Sequence, residues 1–212
     1  MKQKKVKSMA LMGLLAAILI IMCYTPLGYL NIGPLAITFN TIPVAIGALA
    51  LGPVGGAVTG GVFGLTSFLQ CFGISKLGTA LFAISPLLTI VQCFVPRILD
   101  GFLIGLISKG LKNHCPSSFV NGSVVGFCAA FFNTLFYMTS LIVIFGNSTY
   151  IQSIWNTVAK GKNAFLFVCA FVGINAVVEW ISSTVITGAV GAALSKARLI
   201  DGAKSTKNAV KA

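Results

Sequence analysis

Polar residues interrupt apolar runs at three places, each time at helical spacing: Arg97 and Asp100 in VPRILDG, Asn133 and Tyr137 in FFNTLFYM, and Asn175 and Glu179 in GINAVVEW. Residues three or four apart share a helix face, so each pair presents two polar groups in one direction. Such groups are costly inside lipid and mark a ligand path or a buried partner. An arginine there suits an anionic group such as a carboxylate, which it can hold through two parallel N–H···O bonds. The plainer reading is that Arg97 neutralises Asp100 or Glu179 and locks helices together. On the sequence alone both readings stand.

Other chemistries find little support. The chain has no G-x-x-x-x-G-K-[ST] phosphate loop, no His-Glu-x-x-His, no G-x-S-x-G elbow and only three acidic residues, so neither ATP hydrolysis by that route nor an enzyme is expected. Cysteines 23, 71, 93, 115, 128 and 169 form no Cys-x-x-Cys pair and lie mostly in apolar runs. They read as reduced, structural side chains. The single histidine, His114, sits in a polar turn with no ligand set around it, and no metal is expected.

The elements that would position these groups follow from composition. Of 212 residues 57% are apolar and 8% charged, with mean hydropathy +0.97; a soluble surface carries about a quarter charged residues. The chain therefore reads as an all-α integral membrane protein. Spanning runs of about 20 residues fall at roughly 6–24, 35–52, 54–72, 88–111, 119–145 and 163–195, a bundle of six transmembrane helices. The first run continues to Cys23 without a small-x-small cleavage site, so it reads as a retained helix rather than a signal peptide. Residues 73–88 read as a loop with a helical turn folded back over the bundle, and 146–162 as a polar loop. One domain covers 1–198; the basic tail 199–212 is expected to be disordered.

The stretch from Asn40 to Ser67 carries glycines at 47, 52, 55, 56, 60, 61 and 64. Each would weaken a water-exposed helix by about 1 kcal/mol, whereas in a membrane small residues let helices approach closely. Gly13 and Ala17 form another small-x-x-x-small pair, on the first span. The net charge of +12 reports topology rather than a nucleic-acid surface. Lys2, Lys4, Lys5, Lys7, Lys109, Lys112, Lys196, Arg198, Lys204, Lys207 and Lys211 fall on the side of the termini, and only Lys76, Lys160 and Lys162 on the other. That asymmetry puts both termini in the cytoplasm.

At about 1.5 Å of rise per residue, Arg97 lies some 13 Å below the outer face. Tyr137 falls level with it, Asn133 and Asn175 one turn deeper, and Glu179 one turn deeper again. These groups converge on one layer and would line an outward-opening cavity. Asn40, which opens the second span beside Pro43, and Gln70 join the candidates for substrate binding; Tyr29, Asn31, Trp155 and Asn156 belong to the outer loops.

The chain resembles the substrate-binding membrane subunit, the S component, of an energy-coupling factor (ECF) vitamin transporter over about residues 5–198. The resemblance is carried by ALMGLLAAILI, by the block from Gly33 to Ser67, and by FVPRILDGFLIGLISKGL. Within the block, the pattern IP-x-x-I/L-G-x-x-x-L/F-G-P-x-x-G runs from Ile42 to Gly56. The PR of the fourth span and INAVVEW of the sixth are most similar to pantothenate S components, with Asp100 a departure. The resemblance implies a bacterial plasma-membrane protein that captures a water-soluble vitamin from outside, most readily pantothenate; folate, riboflavin, pyridoxine and biotin are the alternatives within the family. A self-sufficient channel or secondary carrier is the reading outside it. It further implies docking, through the Gly13–Ala17 face, to a transmembrane coupling protein and two ABC-type ATPases that use the ATP, no cofactor on this chain, and a pocket roofed by 25–40, 70–88 and 146–162.

Overall fold

The structure, a computed structural model, describes residues 2–25, 28–31, 36–112, 117–159 and 163–197. The tail 199–212, Arg198, His114, Cys115, Lys160 and Lys162 lie outside the described residues, as do the side chains of Tyr29, Asn31 and Cys169. Seven helices are described: α1 (Lys2–Cys23), α2 (Thr41–Gln70), α3 (Lys76–Ile84), α4 (Pro86–Leu111), α5 (Ser118–Phe145), α6 (Thr149–Ala159) and α7 (Ala164–Lys196). Five of them contain stretches long and apolar enough to cross a membrane. Their outward faces form apolar stripes, for example Val95, Ile98, Leu99, Phe102 and Leu106 on α4, and an apolar belt of this extent is a lipid-facing surface.

Runs 35–52 and 54–72 form one helix, α2, broken at Gly52. Gly52 has φ 71° and ψ −157°, which only glycine adopts without strain, and Pro53 follows it and cannot continue the ladder. The chain reverses there. A Cβ on Gly47 would lie 2.7 Å from Thr59 Oγ1, and one on Gly56 would touch Ala48 at 3.0 Å, so arms 41–51 and 53–70 lie against each other as a tight hairpin.

Three expected boundaries shift. Residues 36–38 are not helical: β2 (Ala36–Thr38) pairs antiparallel with β1 (Tyr29–Asn31), Tyr29 opposite Thr38 and Asn31 opposite Ala36. Residues 76–84 are a nine-residue helix rather than a loop with one turn, its N-terminus capped by Ser75 Oγ, which accepts from the Gly78 N–H at 3.1 Å. Residues 149–159 are likewise helical, and α7 is bent at Gly173 (φ 21°).

Two large apolar clusters hold the bundle, beside a small third of Leu15, Ile42 and Ile46 between α1 and the first arm of α2. One joins α1, both arms of α2, α4 and α5 through Leu19, Val44, Ala48, Leu49, Phe63, Ile104, Val125 and Ala129. The other joins Leu77 and Leu81 of α3 to Met138, Leu141 and Phe145 of α5, Ile151 of α6, and Val172 and Ala176 of α7. The second cluster seats α3 and α6 over one end of the helices. Between the clusters lies a void.

Candidate functional site

The void is a cavity of about 600 Å³, within the range of small-molecule pockets. Its walls come from the second arm of α2 (Phe63, Ser67, Gln70), from α4 (Thr89, Gln92, Cys93, Arg97), from α5 (Asn133, Thr134, Tyr137, Met138) and from α7 (Val172, Asn175, Glu179). Tyr24, Thr25, Thr38 and residues 74–78 with Leu81 close its other end.

Arg97 is 8% exposed, and its guanidinium is fixed by two rings, with Cζ 4.2 Å from the Tyr137 ring centroid and 5.1 Å from that of Phe63. Both distances are within cation–π range. Its backbone is set by Gly60, where any Cβ would overlap the Arg97 carbonyl. Nε and Nη1 are buried without a hydrogen-bond partner, and among the described residues no ion pair engages the side chain. Neither Asp100 nor Glu179 therefore locks Arg97 by direct contact. Asp100, one turn along α4, is buried outside the cavity wall with Oδ1 also unpartnered. A buried charge without a partner is expensive, and Arg97 is one of the residues that line this ligand-sized space.

Glu179 is engaged elsewhere: its Oε1 accepts the Thr38 backbone N–H at 2.6 Å. The β-hairpin is thus tied to α7 at the cavity rim. On the opposite rim, Gln70 Nε2 donates to the Cys23 carbonyl at 2.5 Å, and Cys23 Sγ donates to Thr66 Oγ1 at 3.1 Å. These bonds hold the end of α1 to α2.

Of the seven residues singled out as substrate contacts, Gln70, Arg97, Asn133, Tyr137, Asn175 and Glu179 stand on the cavity wall. Asn40 does not. It is fully buried beside Gly28, with neither amide atom partnered. The roof forms from residues after α1 and from 71–81, but the described part of 146–159 packs on the outside of that roof through Ile151 rather than lining the cavity. Gly13 and Ala17 lie on the exposed face of α1, with nothing within 4 Å of a Cβ at Gly13.

Gln92, Thr89 and Thr38 were missed by reading the sequence. Gln92 Nε2 donates to the Tyr137 carbonyl at 3.0 Å, and its Oε1 is buried and unpartnered. Stepping back from Arg97 in fours reaches Cys93 and then Thr89, with Gln92 beside them on the buried stripe of α4; that periodicity was a usable signal. Thr38 acts through its backbone, which no side-chain pattern reveals.

A helical membrane protein with a ligand-sized cavity at one end, lined in part by a buried arginine, has the form of a membrane solute-binding subunit. The family model described as "ECF transporter, substrate-specific component" matches residues 7–191, and the chain belongs to that family, a transporter family rather than an enzyme family. It is 27% identical over 211 residues to the pantothenic acid transporter PanT of Lactococcus lactis, covering 93% of this chain and 98% of the relative. It is also 27% identical over 199 residues to the pantothenate transporter PanT of Leuconostoc mesenteroides, covering 90% and 93%. It is a multi-pass membrane protein with bacterial relatives of nearly its own length.

Proposed function

We propose that this chain is the pantothenate-binding subunit of an ECF-type importer. The single observation that carries the reading is Arg97, a buried cation clamped by two rings and left without an anion inside a cavity of about 600 Å³. Pantothenate offers one carboxylate for that guanidinium, with hydroxyl and amide groups suited to Asn133, Tyr137, Asn175, Gln92 and Gln70. The pantothenate transporters among its relatives support the same substrate.

The antiparallel arms of α2 support a count of six membrane segments, the first arm a short one of about 16 Å at 1.5 Å per residue. With the basic residues gathered at the end opposite the cavity, the termini are cytoplasmic and the pocket opens outward. The chain carries neither a cofactor nor a catalytic activity. Energy comes from a coupling protein and two ABC-type ATPases, and the exposed Gly13–Ala17 face of α1 is the surface on which a partner helix would sit.

Calorimetry on the purified chain alone tests the substrate. The expected result is tight pantothenate binding near one ligand per chain. Binding of another vitamin from a panel, and not pantothenate, would replace the substrate, and gradient-driven uptake by the lone chain in vesicles would replace the mechanism. Gly13→Leu should leave binding unchanged and stop uptake in the assembled complex. Loss of binding instead would assign that face to the bundle itself.

A further inference from the structure

One feature of the cavity wall has no part in holding a carboxylate. Cys71, directly after the last residue of α2, and Cys93, two turns into α4, bring their sulfurs to 3.9 Å, and both residues line the cavity. They are 22 residues apart in sequence, and both are free thiols. Among the described residues no third potential metal ligand joins them. The other described cysteines are placed differently: Cys23 donates to Thr66, and Cys128 does not line the cavity.

We propose that Cys71 and Cys93 form a reversible oxidation site in the wall of the binding cavity, taking a small hydroperoxide as oxidant and converting the pocket to a low-affinity form. The chemistry balances with hydrogen peroxide. One sulfur attacks a peroxide oxygen, an S–O bond forms as the O–O bond breaks, and the thiol's proton leaves with the departing oxygen as water. The second sulfur attacks the resulting sulfenic acid, an S–S bond forms as the S–O bond breaks, and the hydroxyl departs as water with the second thiol's proton. Two thiols lose two electrons, and one peroxide becomes two waters. A dithiol reductant reverses the bridge by exchange.

The consequence for binding follows from what each cysteine is attached to. A disulfide holds its sulfurs about 2.05 Å apart, so the pair must draw together. Cys93 is fixed within a helix whose backbone packs on Gly64, where a Cβ would lie 2.9 Å from the Cys93 carbonyl. Cys71 begins the short connection to α3, which contains Gly73 at φ 108°. Gly78 of α3 sits directly on the Cys71 sulfur, which would stand only 2.8 Å from a Cβ at that glycine. The mobile partner is therefore Cys71, and α3, which closes the cavity through Leu77 and Leu81, moves with it. Cys93 also lies one turn from Arg97, so the displaced wall borders the proposed carboxylate clamp.

This effect on affinity rests on the pantothenate reading, but the bridge itself does not, and the experiment separates them. Purified wild-type protein is treated with hydrogen peroxide and followed by intact mass and peptide mapping. The expected product has lost two hydrogen atoms and carries a cross-link between the Cys71 and Cys93 peptides. Cys71→Ser and Cys93→Ser should each fail to form it and instead leave a sulfenic acid that dimedone traps. Pantothenate affinity of the oxidised wild type should fall about tenfold and return with dithiothreitol, and bound pantothenate should slow the oxidation. Absence of the 71–93 bridge while other thiols react overturns the site. A bridge that forms with unchanged pantothenate affinity overturns its coupling to the pocket. Where the reduced protein binds no pantothenate at all, the function fails, and the mass result still decides the site.

Discussion

The cavity end of the bundle and the end that carries the termini are built from the same four long helices, yet they close in opposite ways. Away from the cavity, glycine brings backbones into contact. Any Cβ on Gly56 would overlap the Gly101 carbonyl, and one on Gly101 the Gly56 carbonyl. Gly126 packs on the Ser183 carbonyl in the same manner, and Ser183 Oγ donates to the Gly126 carbonyl at 2.8 Å. At the cavity end, bulky or polar side chains occupy the equivalent faces: Gln92 and Arg97 on α4, Asn133 and Tyr137 on α5, Asn175 and Glu179 on α7. Glycine keeps α2 against α4 at both ends, at Gly60 and Gly64 as well as Gly56, whereas between α5 and α7 the glycine contacts at Gly122 and Gly126 lie away from the cavity, and the space is left where Asn133, Tyr137, Asn175 and Glu179 stand. The polar groups themselves are only partly satisfied by one another, whereas the glycine-packed end is dense.

Substitutions that fill the close end should be the most damaging. Gly101→Leu forces a side chain into the Gly56 backbone, where nothing flexible can yield. Overpacking of this kind exceeds the usual penalty of about 1–3 kcal/mol, and no folded protein should be recovered by size-exclusion chromatography. Folded, pantothenate-binding Gly101→Leu would show that the two ends are not built on different rules.

At the open end the expected effect is on the ligand. Arg97→Ala should lower pantothenate affinity about a hundredfold or more, as loss of a buried charged partner costs roughly 2–5 kcal/mol. Thermal stability without ligand should hold or rise, because an unpartnered buried charge is removed. A variant that unfolds instead would make Arg97 part of the frame.

Glu179→Ala tests the rim. It frees the Thr38 N–H, at a cost of about 1–3 kcal/mol, and should loosen the hairpin, seen as faster amide exchange near residue 38 and about tenfold faster ligand release. The smallest effect belongs to Ser183→Ala at the dense end, about 1 kcal/mol of stability with pantothenate affinity unchanged.

Much of this contrast could be read from residue types. The apolar runs, the glycine-rich block and the polar pairs on helical stripes are local, and lipid enforces helicity on whatever is apolar enough to enter it. Arg97, Asn133, Tyr137, Asn175 and Glu179 were found because a polar side chain in an apolar run is conspicuous and because depth along a helix can be counted. Asn40 was misassigned to the wall by the same rule. Its burial beside Gly28 depends on the chain before α2, where residues 29–31 and 36–38 pair through backbone bonds that a composition rule does not see.

The amino-acid sequence by itself determined membrane residence, the long helices and the set of polar residues that lipid would not tolerate without a use, because these depend on side-chain chemistry and near neighbours. Only the tertiary structure decided that Arg97 Nε and Nη1 meet no hydrogen-bond partner among the described residues, that Glu179 holds Thr38, that α2 doubles back at Gly52, and that Cys71 meets Cys93. Each of these except the turn is a distance between elements far apart in the chain. Such distances are set by how closely backbones can approach, one glycine at a time.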